Sequence, residues 1–276
     1  MAMSTNQQSS ISTSTSEQDM PPRAQMLAEN LQAVLQRINS VAHSPNSVRL
    51  VAVSKLKPAS DILAIHERTG HTHFGENYSQ ELLDKATALP PSINWHFTGA
   101  LQTNKCKSLA EKIPNLWTVE SVDAIKKADA LEKGRAALFS TTPSSKLGVF
   151  VQVNTSGEAS KSGCAPTDAP ALAKHIRQEC KHLILQGLMT IGAIARSKAS
   201  DVPNEDFLTL KRVREEVAKV VGVPVEELEL SMGMSEDFEQ AVSLGATNIR
   251  VGTTIFGQRP AKKDAGVKGE ASQSVA

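Results

Sequence analysis

The strongest constraint on this chain is a rhythm. Short apolar runs rich in β-branched residues alternate with helical patterns about eight times over roughly 210 residues. The runs fall at 48–54, 73–75, 93–98, 116–119, 147–153, 183–189, 228–231 and 248–251, and each reads as a strand. Helical spacing follows them at 59–68, 78–86, up to 109, 122–138, 170–180, 205–221 and 236–244. One more amphipathic helix precedes the series over 24–41, with Met26, Leu27, Leu31, Val34, Leu35 and Ile38 on one face. The pattern predicts an α/β fold, a (β/α)8 TIM barrel with an additional N-terminal helix. An open doubly wound sheet is the competing architecture, but no Gly-x-Gly-x-x-Gly follows the first strand.

Charge and cysteine usage remove several function classes. Thirty basic against twenty-nine acidic residues give a net charge of +1, so no electrostatic grip on nucleic acid or membrane is expected. No apolar run is long enough to span a bilayer. Cys106, Cys164 and Cys180 are odd in number and widely spaced, which fits neither a disulfide framework nor a metal site and points to a reducing compartment. The Ser-, Thr- and Gln-rich start reads as a disordered tail over 1–22, and 260–276 reads the same way. Glu17 and Asp19 count against a mitochondrial presequence. The expected location is the cytoplasm, with a mitochondrial pool left open. The barrel domain is expected over 23–259, with the linker at 134–146 as a surface loop. The 19 residues after Gly257 are too few for another folded domain behind the barrel.

Barrel enzymes keep their chemistry in the loops after the strands, and the unusual residues cluster there. The run Leu50-Val51-Ala52-Val53-Ser54 ends in Lys55, and alternation aligns Val51, Val53 and Lys55. A lysine aligned with core residues is poorly hydrated, which suits it to carbonyl chemistry; the bland reading is a lysine that snorkels to water. After the seventh strand, Ser235 precedes Glu236 and an apolar helical pattern, as an N-cap would. Gly252 and Thr253 follow the eighth strand and offer an approachable backbone and a hydroxyl. A phosphate site built by the loops after strands seven and eight recurs in this fold. Arg250 shares the inward face with Asn248 and Gly252; it could meet a phosphate or a ring nitrogen, or pair with a carboxylate inside the barrel. Asn77 either caps the next helix or bonds a ligand. His96, between Trp95 and Phe97, reads first as a hydrogen-bonded core residue and second as a catalyst. A lysine at one strand end with a phosphate site at the neighbouring one suits pyridoxal 5′-phosphate (PLP), held as a Schiff base on Lys55.

Ordered motifs support that reading. Val51-Ala52-Val53-Ser54-Lys55, Phe74-Gly75-Glu76-Asn77-Tyr78, Trp95-His96-Phe97-Thr98-Gly99 and Leu101-Gln102-Thr103-Asn104-Lys105 resemble the pyridoxal phosphate homeostasis proteins. So do Gly187-Leu188-Met189-Thr190, Leu230-Ser231-Met232-Gly233-Met234-Ser235, and Arg250-Val251-Gly252-Thr253 through Phe256-Gly257. The chain is most similar to the eukaryotic, fungal branch. The resemblance implies a barrel of the alanine racemase N-terminal type with PLP on Lys55. It also implies phosphate contacts from Ser235, Gly252 and Thr253, with Asn77 and Arg250 nearby. Ala100 and Ser79 depart from the commonest pattern, and neither touches the expected cofactor groups.

Two functions follow from PLP on a barrel. A racemase or another amino-acid enzyme needs a second positioned acid or base, and the racemases of this fold bring a tyrosine on an added domain. Tyr78 is the only tyrosine here, with His96 or a cysteine as substitutes. A carrier needs only reversible condensation and an open mouth. The expectation is therefore a non-enzymatic monomer that buffers PLP and delivers it to apo-enzymes, with effects on amino-acid and keto-acid balance.

Overall fold

Parallel strands require long crossovers, and this chain supplies a helix for nearly every one. The computed structural model describes residues 22–44, 47–142, 145–197 and 202–258. Helix α1 (Pro22–Val41) leads into β1 (Arg49–Val53), α2 (Ala59–Thr69), β2 (His73–Glu76), α3 (Ser79–Ala88), β3 (Asn94–Phe97) and α4 (Thr103–Lys112). Then come β4 (Leu116–Val122), α5 (Ile125–Phe139), β5 (Leu147–Gln152), α6 (Ala169–Glu179), β6 (Leu183–Met189), the short α7 (Ile194–Ser197) and α8 (Glu205–Val221). A 3-10 turn at Val225–Glu227 precedes β7 (Glu229–Ser231), α9 (Phe238–Ser243), β8 (Asn248–Val251) and α10 (Thr253–Phe256). The strands close into a barrel in chain order. β8 pairs with β1 in parallel, placing Val51 beside Arg250 and Ala52 beside Val251.

Alternation decides what each strand face meets. Leu50, Ala52, Phe74, Trp95, Phe97, Val149, Val151, Ile249 and Val251 are all buried in the apolar layer between sheet and helices. The opposite faces line the barrel interior. The N-terminal helix has a specific task, because α10 is a single turn and cannot cover the seam between β8 and β1. Helix α1 does so with Leu27, Leu31, Val34 and Ile38, each essentially fully buried and worth roughly 1.5–3 kcal/mol. Polar contacts fix its register. Asn30 donates to the Ile255 carbonyl at 3.0 Å, Arg23 clasps Asp61 of α2, and Arg37 clasps Glu239 of α9.

Three expectations are corrected. β4 runs on through Glu120 and Ser121 to Val122, so α5 begins at Ile125 rather than 122. Gly134 is inside α5, not in a loop. A Cβ there would lie 2.3 Å from the Lys107 carbonyl of α4, so glycine permits the close packing of the two helices. Ser235 is not the N-cap of α9. The helix starts at Phe238, Asp237 holds the cap position, and the Asp237 carboxylate accepts the Met234 N–H at 2.7 Å. The expected tails before residue 22 and from 260 lie outside the described residues, as do 143 and 144 in the loop after α5.

Candidate cofactor site at the barrel mouth

Lys55 leaves the end of β1 in a tight turn. The Lys57 N–H donates to the Ser54 carbonyl at 3.0 Å, making Lys55 and Leu56 the central residues. Leu56 has φ 60°, at the position where a β-turn with positive φ ordinarily takes glycine. Around this strained turn sits a polar cluster on the outer face of the sheet, beneath α3. Ser54 is fully buried and its hydroxyl donates to Glu76 at 2.6 Å. The Lys85 ammonium uses all three of its donors: Ser54 carbonyl at 2.9 Å, Glu76 at 2.6 Å and Glu81 at 2.7 Å. Glu81 also accepts the Leu56 N–H at 2.7 Å. Burial pushes the Glu76 carboxyl up to about 7, although Lys85 and Ser54 pull it down, and its Oε2 is buried without a hydrogen-bond partner.

The loops after β7 and β8 meet beside this turn. The Gly252 N–H donates to the Ser235 hydroxyl at 3.4 Å, leaving the Ser235 O–H as a donor of its own. A Cβ on Gly252 would fall 3.1 Å from the Val53 carbonyl, so the two strand ends touch where glycine stands. Thr253 opens α10, and no side chain caps that turn; its first N–H groups have no intrahelical acceptor. Across the mouth, the Thr98 hydroxyl donates to Asn77 Oδ1 at 3.0 Å, leaving the Asn77 amide hydrogens as the donors this side chain can offer. Asn77 does not cap α3: Tyr78 holds that position without a side-chain bond. Gly99 holds Asn77 close, since a Cβ on it would lie 2.2 Å from the Asn77 carbonyl.

Below the mouth, the barrel interior carries a network centred on Glu120, a residue that sequence reasoning missed. Its carboxylate is fully buried and accepts from the Ser231 hydroxyl at 2.6 Å, from His96 Nδ1 at 2.8 Å and from the Asn248 amide at 3.2 Å. Arg250 is 5% exposed. It donates to Ser231 Oγ at 2.5 Å and to the Thr190 carbonyl at 2.7 Å, with the Glu120 carboxylate at 3.8 Å. Burial works against ionised Glu120, but the hydrogen bonds from His96 and Ser231 and the Arg250 charge outweigh it and hold the carboxyl below its ordinary range. Burial lowers His96, so its neutral ring donates from Nδ1 to Glu120. Its Nε2 then accepts from His73 Nδ1 at 2.9 Å. Both nitrogens of His96 are engaged.

A family model described as alanine racemase, N-terminal domain, matches residues 26–260. A pyridoxal phosphate homeostasis protein of Bos taurus is 44% identical over 244 residues, covering 84% of this chain and 87% of its own. The protein of the same name in Schizosaccharomyces pombe is 42% identical over 243 residues, covering 88% and 97%. The chain belongs to the pyridoxal phosphate homeostasis protein family. Among solved structures it is similar to PipY of Synechococcus elongatus with PLP bound, at 31% identity and TM-score 0.64, covering 84% of this chain and 100% of that one. An alanine racemase from Corynebacterium glutamicum, at 15% identity and TM-score 0.61, shares the fold and is covered over 63% of its length. Among the described residues of this family member, no helix is long and apolar enough to cross a membrane.

Proposed function

We propose that this protein binds PLP at the barrel mouth and serves in PLP homeostasis by holding the cofactor reversibly and releasing it to apo-enzymes. The observation that carries the reading is the contact of two strand ends. Val53, which ends β1 two residues before Lys55, abuts Gly252 after β8, and Gly252 is bonded to Ser235 after β7. The donor set fits the group. Two hydroxyls, from Ser235 and Thr253, and the free N–H groups at the start of α10 suit a phosphate. PLP, when bound, supplies an aldehyde that condenses reversibly with a lysine amine. Lys55 is the amine in this reading, Ser235, Gly252 and Thr253 hold the phosphate, and Asn77 and Arg250 lie nearby.

A carrier is favoured over an amino-acid enzyme by the fate of the remaining bases. His96 is fully buried with both nitrogens bonded, so it holds its proton inside the barrel. Burial pushes the thiols of Cys106, Cys164 and Cys180 up to about 11, 12 and 12, which leaves no thiolate at neutral pH. Tyr78 is 52% exposed. A histidine bonded at both nitrogens, protonated thiols and a half-exposed tyrosine are poor second bases for amino-acid chemistry. The carrier works as a monomer, and its near-neutral charge gives nucleic acid no hold. Mixing the PLP-loaded protein with an apo-transaminase tests this. The expected result is recovery of transaminase activity with matching loss of cofactor absorbance from the carrier. Turnover of common amino acids by the purified protein, lost in Lys55→Ala, would reverse the reading in favour of an enzyme.

A further inference from the structure

The lysine-bearing turn is strained, and the surrounding residues hold it that way. In an L-residue the left-handed conformation costs about 1–2 kcal/mol, yet Leu56 adopts it at φ 60° and is 38% exposed. Its side chain is only partly buried, so core packing does not lock the turn by itself. What the turn has instead is a clamp from α3. Glu81 accepts the Leu56 N–H at 2.7 Å, and Lys85 donates to the Ser54 carbonyl at 2.9 Å. These two bonds grip the residues immediately before and after Lys55. The clamp is internally braced, because Lys85 also bonds Glu81 and Glu76. Glu76 bonds the Ser54 hydroxyl in turn.

We propose that Glu81 and Lys85 are positioning residues for Lys55, holding the strained turn that presents its amine to the cofactor. The inference rests on Lys55 being the PLP lysine. Neither residue touches the cofactor; both act through the backbone on either side of Lys55. A turn free to relax would swing that backbone, and a misplaced amine condenses more slowly even when the phosphate site is intact. The clamp therefore governs how fast PLP is captured, while the phosphate loops govern how well it is retained.

The test compares Glu81→Ala, Glu81→Gln and the double variant Leu56→Gly/Glu81→Ala in the full chain. PLP loading is followed by stopped-flow absorbance, with circular dichroism and melting as controls. Glu81→Ala should load about tenfold more slowly, the effect of losing about 1.4 kcal/mol of preorganisation. Glu81→Gln keeps an acceptor oxygen for the Leu56 N–H and should load within about twofold of the unaltered protein. Glycine adopts positive φ without strain, so the double variant should recover most of the lost rate, which a merely destabilised fold would not do. Should Glu81→Ala melt too low to assay, the ordering of Glu81→Gln against Lys85→Met carries the test, with only the latter slow. Loading of Glu81→Ala at an unaltered rate, with the cofactor still on Lys55, overturns the clamp alone. Cofactor on another lysine overturns the parent reading instead.

Discussion

Replacing Glu120 by glutamine should be among the most damaging single changes in the barrel. The substitution keeps shape and removes one charge from a fully buried group. Glutamine retains one carbonyl oxygen, so one of the two short bonds, from Ser231 at 2.6 Å or His96 at 2.8 Å, survives. The other, a bond to a charged group, contributes about 1.5–3 kcal/mol. Arg250, 5% exposed and 3.8 Å away, loses its counter-charge, and breaking such buried pairs costs about 3–5 kcal/mol. The two losses share partners and do not add, so about 4 kcal/mol is expected in total. Urea unfolding reads this directly: with a slope near 3 kcal/mol per M, the midpoint should fall by about 1.3 M. Because Glu120 sits below its ordinary range, its stabilisation is present above pH about 4.5 and is lost as pH falls further. The gap between the two proteins should therefore narrow in acid. Glu226→Gln, on the exposed 3-10 turn, should stay within about 0.5 kcal/mol. A loss under about 1 kcal/mol for Glu120→Gln at pH 7 would refute the charged network.

Ser235→Ala combined with Thr253→Val should weaken PLP retention while leaving capture by Lys55 possible; pyridoxal, lacking the phosphate, binding the unaltered protein as tightly as PLP in equilibrium dialysis would contradict the phosphate assignment. Burial lowers His71 to about 4 and His73 to about 3, so both contribute stability that is present above their ordinary 6.5 and is lost as pH falls through that window. Glu76, raised to about 7, contributes the other way, with stability present below 4.5 and lost as pH rises through 7. Thermal melts from pH 4.5 to 7 should therefore show a steeper acid loss in Glu76→Gln and a flatter one in His71→Gln; parallel curves for all three proteins would contradict these environments. Amino acids added to the PLP-loaded protein should displace Lys55 without sustained turnover, as product analysis by chiral chromatography would show.

The barrel was legible because both periods were clean. β6 and β8 run over 183–189 and 248–251 as the apolar runs predict, and α8 starts and stops at Glu205 and Val221. The end of β4 was not legible, because Glu120-Ser121 imitates a loop and Val122 fits the following helical pattern. Glu120 is a strand residue only in the company of Arg250, His96, Ser231 and Asn248, and those partners come from other strands. A signal existed: Arg250 and Asn248 share one inward face, and a buried guanidinium needs a carboxylate. Ser235 was misplaced because Ser235 and Asp237 are both good capping residues and only the backbone chooses between them. The clamp on Lys55 was hidden for another reason. Glu81 and Lys85 look like an ordinary i,i+4 surface pair on α3, and nothing local says that Lys85 is 8% exposed and turned toward Ser54.

The most direct test of the whole account is chemical. The PLP-loaded protein should absorb in the visible, lose that band on borohydride reduction, and yield one pyridoxyl-labelled peptide by mass spectrometry. The label should sit on Lys55 and vanish in Lys55→Ala, which should still fold. A label on Lys57, Lys85 or Lys105, or an unlabelled protein after loading, would contradict the site built around the β1 turn.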